Sequence, residues 1–143
     1  NFNADYSWDY VGDDPDPSPT EPGSRDSHGT VVAGVAGARG GNEIGVTGAA
    51  PFASLAGLRL GFDGASSTDA DFADATMLHS WGVSTPIKIK NHSYGFDEAW
   101  VTVPLEMYAL GLSSRAGTIH VFAAGNERAN WFGKYSSMGR SRT

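Results

Sequence analysis

Between Ser54 and Ala123, short apolar runs alternate with longer amphipathic stretches, and this alternation restricts the fold more than any other feature of the chain. Ser54 to Leu60, Ile87 to Ser93 and Thr118 to Ala123 have the length and composition of strands. Thr68 to Ser80 sets Phe72, Ala75, Met77 and Leu78 near helical spacing, with Asp69, Asp71 and Asp74 toward water. Val103 to Arg115 reads as a further helix, closed by Gly117. Upstream, small and β-branched residues from His28 to about Ala38 predict a buried helix broken at Gly40-Gly41, with Ser24, Asp26 or Ser27 as its N-cap. Strands alternating with helices predict parallel βαβ units, wound right-handed, and so an α/β fold.

Length and composition narrow the function. The 143 residues suit one domain with a sizeable core. Ten basic against sixteen acidic residues give a net charge of −6 with no basic cluster, which argues against nucleic acid as a partner. The longest apolar runs, such as Val31 to Ala36, fall far short of the roughly 20 residues of a spanning helix, so no membrane partner is expected. With no cysteine, disulfides, thiolate metal sites and a cysteine nucleophile are excluded, while the compartment stays open. The 19 glycines mark tight turns and close backbone approaches. Residues 1 to 27 hold four of the seven prolines (Pro15, Pro17, Pro19 and Pro22) and read as an irregular surface segment. The polar opening, Asn1 to Asp5, reads as mid-domain sequence rather than a leader.

Three segments carry chemistry. In Asp26-Ser27-His28-Gly29-Thr30-Val31-Val32-Ala33-Gly34, an imidazole sits at a helix N-terminus, and Gly29, Ala33 and Gly34 allow a neighbouring backbone to come close. An imidazole tuned by a helix dipole and a carboxylate partner suits a general base at neutral pH. In His120-Val121-Phe122-Ala123-Ala124-Gly125-Asn126, an apolar strand delivers an amide to its C-terminal edge, where ligands of parallel sheets sit. That amide can stabilise a developing oxyanion. Lys90-Asn91-His92-Ser93-Tyr94-Gly95 runs from a strand into a polar turn. Each segment alone also has a bland structural reading.

In this order, the three resemble the motifs of the subtilisin-like serine proteases. His28-Gly29-Thr30-x-Val32-Ala33-Gly34 resembles the catalytic-histidine motif, Asn91-x-Ser93-Tyr94-Gly95 the substrate-binding strand, and Ala123-Ala124-Gly125-Asn126 the oxyanion motif. Gly45-Val46-x-Gly48-x-Ala50-Pro51 also fits. The resemblance implies a three-layer fold with a mostly parallel sheet, of which residues 1–143 form the central part of a single peptidase domain. It implies His28 as general base and Asn126 as oxyanion donor, facing one crevice. Ser93, Tyr94 and Gly95 would pair with a peptide or protein substrate, and Ala123, Ala124 and Gly125 would line its specificity pocket. The family's catalytic Asp, on an N-terminal strand, and its Ser, in Gly-Thr-Ser-x-Ala-x-Pro, have no match here. The remaining segments of such a domain, or a second copy of the chain, are therefore expected partners, and residues 1–143 alone are expected not to hydrolyse peptides. A secreted or cell-envelope location is implied.

Trp8-Asp9-Tyr10 followed by Asp14-Pro15-Asp16-Pro17 resembles the kexin and proprotein-convertase branch of that family. There the matching carboxylates bind calcium, which implies Asp9, Asp14 and Asp16 as ligands. Three carboxylates so close in sequence repel unless water or a hard cation neutralises them, and Ca²⁺ takes oxygen ligands in flexible geometry. A second calcium site is implied at the carbonyls of Arg39, Ile44 and Val46 with the Asn42 side chain. A third would need an Asp near Phe132 and is not expected. That branch reads basic substrates with acids matched here by Arg25, Phe72 and Glu98, and Tyr94 and Phe96 replace its Trp and Pro. No dibasic preference is expected. His79, on the 68–80 helix, and His92 and His120, on strands, read as structural. The alternative to a protease is a non-catalytic α/β module that holds an extended peptide at a strand edge.

Overall fold

The computed structural model describes residues 1–20, 27–61, 67–95 and 102–125. The chain divides into two compact units, Asn1–Ser67 and Thr68–Thr143.

In the first unit, the opening residues run parallel to residues 53–59. Asn3 donates its N–H to the Leu55 carbonyl (2.7 Å), and Leu55 donates to the Asn1 carbonyl (2.9 Å). After a 3-10 turn at Ala4–Tyr6, strand β1 (Trp8–Asp9) pairs in parallel with β2 (Leu58–Arg59), setting Trp8 opposite Leu58 and Asp9 opposite Arg59. This corrects the reading of residues 1–27 as wholly irregular. Two residues are too few to show a period, and the acids and prolines around them mask the strand. The expected 54–60 strand is correspondingly short.

Helix α1 (His28–Gly37) begins and ends close to where the sequence predicts, though the Ser27 side chain makes no capping hydrogen bond. It is not buried: Val31 and Val35 are 63% and 69% exposed. A Cβ added at Gly29 or Gly34 would meet nothing within 4 Å, so those positions are not the close approaches expected. The tight glycine is Gly48. It donates to the Ala38 carbonyl (2.8 Å), and a Cβ there would lie 2.5 Å from the Ala38 nitrogen and 2.6 Å from that of Gly37. Only a residue without Cβ lets the returning chain dock on the end of α1.

Among its described residues, the second unit holds a two-stranded parallel sheet and two helices. Helix α2 (Asp69–Met77) starts at a capping box in which Thr68 and Asp71 exchange side-chain and backbone hydrogen bonds. Strand β3 (Ile89–His92) pairs with β4 (Ile119–Phe122) in the register Ile89–Ile119 to His92–Phe122. Helix α3 (Pro104–Arg115), with Pro at its first turn, connects them, so β3, α3 and β4 form the βαβ unit that the alternation predicts. Gly117, at φ +100°, turns the chain from α3 into β4. Phe72 and Ala75 of α2 and Val103, Ala109 and Leu110 of α3 and its cap form the buried apolar set, with Tyr94 and Phe122 packed against Val103 and Leu110.

Two side chains depart from expectation. Asp69 does not face water: its carboxylate accepts the N–H groups of Leu105 and Glu106 (3.0 Å each), capping α3 from the neighbouring helix. His79 lies past the end of α2 at φ +54° rather than on the helix. Paired strands are parallel in both units, as an α/β chain requires. No helix among the described residues is long and apolar enough to cross a membrane.

Candidate functional site

The second unit brings two of the chemistry-bearing segments side by side. Because β3 and β4 run parallel, their C-terminal ends emerge together, and Ala123 donates its N–H to the His92 carbonyl (3.0 Å) across them. Ser93–Gly95 continues from one strand and Ala123–Gly125 from the other, which is the edge where parallel sheets hold ligands. Ala123, Ala124 and Gly125 are exposed, and Gly125 adopts φ +90°. Asn91 donates from its side chain to the Ser93 hydroxyl (2.5 Å), fixing the first residue of the turn. Asn126, the expected oxyanion donor, lies outside the described residues, as do Arg25, Glu98, Phe96 and Phe132.

His28 belongs to the first unit. It is exposed and occupies the first position of α1, as the motif predicts.

The acidic segment folds as a tight hairpin. Asp9 and Asp14 exchange backbone hydrogen bonds (2.7 and 3.3 Å), and Asp13, at φ +56°, makes the turn. A Cβ at Gly12 would stand 2.9 Å from Asp9 Oδ2 and 3.0 Å from Asp14 Oδ2, so the two carboxylates crowd the space over that glycine. Asp9 is 3% exposed, accepts the Val11 N–H (2.8 Å), and pairs with the Arg59 guanidinium (2.5 Å). Asp14 accepts from Asp16 N–H (2.8 Å). Asp16 turns to its own loop, where hydrogen bonds from the Ser18 side chain and backbone hold its carboxyl below the usual carboxylate range. Two of the three expected calcium ligands therefore meet and the third does not. Among the described residues no group of three or more His, Asp or Glu is placed to hold a metal ion. In the 39–46 loop, Asn42 Oδ1 accepts the Ile44 N–H (3.3 Å), and Gly41, Glu43 and Gly45 alternate through positive φ.

The subtilase family profile matches residues 1–142, through both units. The chain belongs to the subtilase family. It is also 34% identical over 124 residues to the halolysin-like extracellular serine protease Nep of Natrialba magadii, an alignment that covers 87% of this chain and 21% of that protein. The chain thus spans about a fifth of the length of the curated relative it matches. No solved structure matches it significantly.

Next to Ser93–Gly95, this subtilase chain carries a buried polar cluster that sequence reasoning missed. His92, 6% exposed, stacks on Phe122 with ring centroids 4.2 Å apart. Its Nδ1 lies 2.9 Å from the Tyr94 hydroxyl and its Nε2 lies 2.9 Å from His120 Nδ1. His120 Nε2 reaches Ser113 Oγ (2.9 Å), which reaches Ser80 Oγ (2.7 Å). Tyr94 donates to Glu106 Oε1 (2.5 Å), and Glu106 is fully buried with no hydrogen-bond partner on Oε2.

Burial pushes Glu106 up to about 7 and, with His120 and Lys90 nearby, pushes His92 down to about 3. Burial and the neighbouring carboxyl keep the Tyr94 hydroxyl protonated. Lys90 caps the end of α2 through the carbonyls of Ala75, Thr76 and Leu78 (2.8, 2.8 and 2.6 Å), and burial pushes it down to about 8. The alternation of strand β3 was the available signal, since it puts Lys90 and His92 on one inward face.

Proposed function

We propose that this chain is the central part of a subtilisin-like serine endopeptidase that cleaves peptide bonds through an acyl-enzyme. The observation that carries the reading is the paired exit of Ser93–Gly95 and Ala123–Gly125 from adjacent parallel strands. An extended peptide laid beside Ser93, Tyr94 and Gly95 has its backbone held in register, and Ala123, Ala124 and Gly125 form a wall for one side chain. His28 takes the proton of the attacking serine and returns it to the leaving amine, while the Asn126 amide stabilises the oxyanion. The serine nucleophile and the aspartate that orients His28 come from segments of the three-layer domain other than residues 1–143. Those segments, or a second copy of the chain, are its partners. The relative from Natrialba magadii is an extracellular protease, which supports a place outside the cytoplasm. The hairpin of acids supports kinship with the kexin-like branch.

Calcium, in this reading, contributes to stability and takes no part in the reaction. At the acidic hairpin it would draw on Asp9 and Asp14, with Asp16 turned away and Arg59 already neutralising Asp9. At the second loop it would draw on the Arg39, Ile44 and Val46 carbonyls and on Asn42. Because such an ion binds the folded state, millimolar calcium should raise the Tm by mass action. An unchanged Tm removes both sites.

The reaction is tested with a fluorophosphonate and a peptide substrate on the full-length natural protein and on residues 1–143 alone. Labelling of the former, loss of peptide cleavage on His28→Ala, and no labelling of the latter are expected. Peptide binding without any labelling would favour the non-catalytic module. Specific labelling of a serine within residues 1–143 would place the nucleophile in this chain and overturn the assignment.

A further inference from the structure

We propose that Glu106 is a positioning residue for the substrate strand, acting through Tyr94 to hold Ser93–Gly95 in register for an extended peptide. The inference rests on the protease reading above and extends it to a residue that touches no substrate.

Between Glu106 and His120 the hydrogen-bond chain has one sense. Tyr94 has a single proton and gives it to Glu106 Oε1, so its oxygen accepts from His92 Nδ1–H. His92 Nε2, left with a lone pair, accepts from His120 Nδ1–H. Beyond it, His120 Nε2 lies 2.9 Å from Ser113 Oγ, which lies 2.7 Å from Ser80 Oγ, and Ser80 gives its proton to the Thr76 carbonyl (3.2 Å). From His120 Nδ1 to Glu106 each donor thus points toward the one carboxylate, and the His92 tautomer follows from it. The chain ties β3, β4, α2 and α3 together directly below the two exit segments. Tyr94 is its only member within Ser93–Gly95, so the carboxylate fixes that turn through the tyrosine side chain.

The other residues around the cluster do not substitute for Glu106. Lys90 is committed to the end of α2, with Asp74 and His79 near it, and Asp69 is committed to the N-terminus of α3. A proton taken up on Oε2, which has no partner, leaves Tyr94 donating to Oε1 but turns the acceptor into a neutral carboxyl, and the bond loses its charge assistance. The tether therefore changes with the charge on Glu106.

The test uses the full-length natural protein with Glu106→Met, which removes the acceptor at similar length, and Glu106→Gln, which keeps an acceptor that does not titrate. Two substrates are compared: a four-residue chromogenic peptide, which pairs with Ser93–Gly95, and a single-residue ester, which does not. Glu106→Met should raise KM for the peptide roughly tenfold with kcat within about twofold, and leave KM for the ester within about twofold. Glu106→Gln should restore the peptide KM at pH 8. Between pH 6 and 8, its peptide KM should lack the rise toward acid that the wild-type protein shows.

Equal changes for peptide and ester, or no change for either, would overturn the positioning role. If Glu106→Met fails to fold, a Glu106→Gln profile that matches wild type overturns it by itself. A wild-type protein that takes no fluorophosphonate and cleaves neither substrate removes the protease reading and this inference with it. A labelled wild type with an indifferent Glu106→Met removes only the inference.

Discussion

The unit that bears His28 and the unit that bears the paired exits of β3 and β4 hold themselves together by different means. Among the described residues of Asn1–Ser67, the buried positions are Ser7, Asp9, Gly37, Gly48 and Gly61, with no large apolar side chain among them. Ile44, Val46 and Phe52 are 78%, 66% and 91% exposed. Thr68–Thr143 buries Phe72, Ala75, Val103, Ala109 and Leu110. Hydrophobic stabilisation scales with apolar area removed from water, at roughly 25 cal/mol per Å², so only the second unit has a substantial share of it. The first depends on backbone ladders, a close glycine and one buried ion pair. Specific polar ties hold the unit that carries the histidine, while an apolar core underlies the paired exits of β3 and β4.

The sharpest way to break this comparison is Arg59→Ala. It strips the partner from a buried Asp9 carboxylate, and removing one member of a buried pair costs about 3 to 5 kcal/mol. Denaturant melts of the full-length protein, read with amide exchange, should lose protection at Trp8 and Tyr10, whose N–H groups bond to Gly57 and Arg59. Loss spread equally to His92 and Val121 would mean that the two units do not differ in the way described.

Leu110→Ala is the counterpart. Leu110 is 3% exposed, and truncating such a side chain costs about 2 to 5 kcal/mol through lost transfer energy and the cavity left behind. Protection should fall along β3 and β4 and persist at Trp8 and Tyr10.

What was legible in the chain follows the same division. In the second unit, local signals agree with tertiary structure. Helical spacing, a capping threonine, a proline at the first turn of α3 and a closing glycine place α2, α3, β3 and β4 to within a few residues. In the first unit, the decisive partners are distant. Asp9 is buried because Arg59 lies opposite it across fifty residues, and nothing in Trp8-Asp9-Tyr10 announces that. Asp69 illustrates the same gap within the second unit, since its own neighbours suggest a solvated helix face while α3 claims its carboxylate. The histidine pair was hidden because strand alternation says which residues face inward but not that His120, opposite Lys90, reaches diagonally to His92. Motif order carried the family, and His28 at the start of α1 follows from its motif.

A milder perturbation separates local from tertiary order in the second unit. Thr68→Ala removes the N-cap acceptor of the Asp71 N–H and half of the capping box, at a cost of about 1 kcal/mol. Asp69 should keep α3 capped, so the Tm should fall by only a few degrees and peptide KM should hold. A loss as large as that of Leu110→Ala would mean that the α2 cap, rather than the apolar set, organises this unit.

The smallest expected effect is a cancellation within the buried cluster. Burial moves Glu106 from 4.5 up to about 7 and His92 from 6.5 down to about 3. Between about pH 4.5 and 6.5 the folded chain keeps a proton on Glu106 that the unfolded chain has lost, so this group makes stability fall as pH rises. Over the same window the unfolded chain keeps a proton on His92 that the folded chain lacks, so this group makes stability rise. Each slope approaches 1.4 kcal/mol per pH unit, and their signs oppose. The two together should leave stability nearly flat there. Below about pH 4.5 Glu106 is protonated in both states, so His92 acts alone and stability falls as pH drops toward 3. Glu106→Gln removes one of the two slopes, and stability should then rise with pH throughout the interval from about 3 to 6.5. Urea melts at pH 4.5, 5.5 and 6.5, with the tyrosine and tryptophan signals of the full-length protein, read the difference. A wild-type curve as steep as that of Glu106→Gln would mean that Glu106 does not carry its proton in the folded chain.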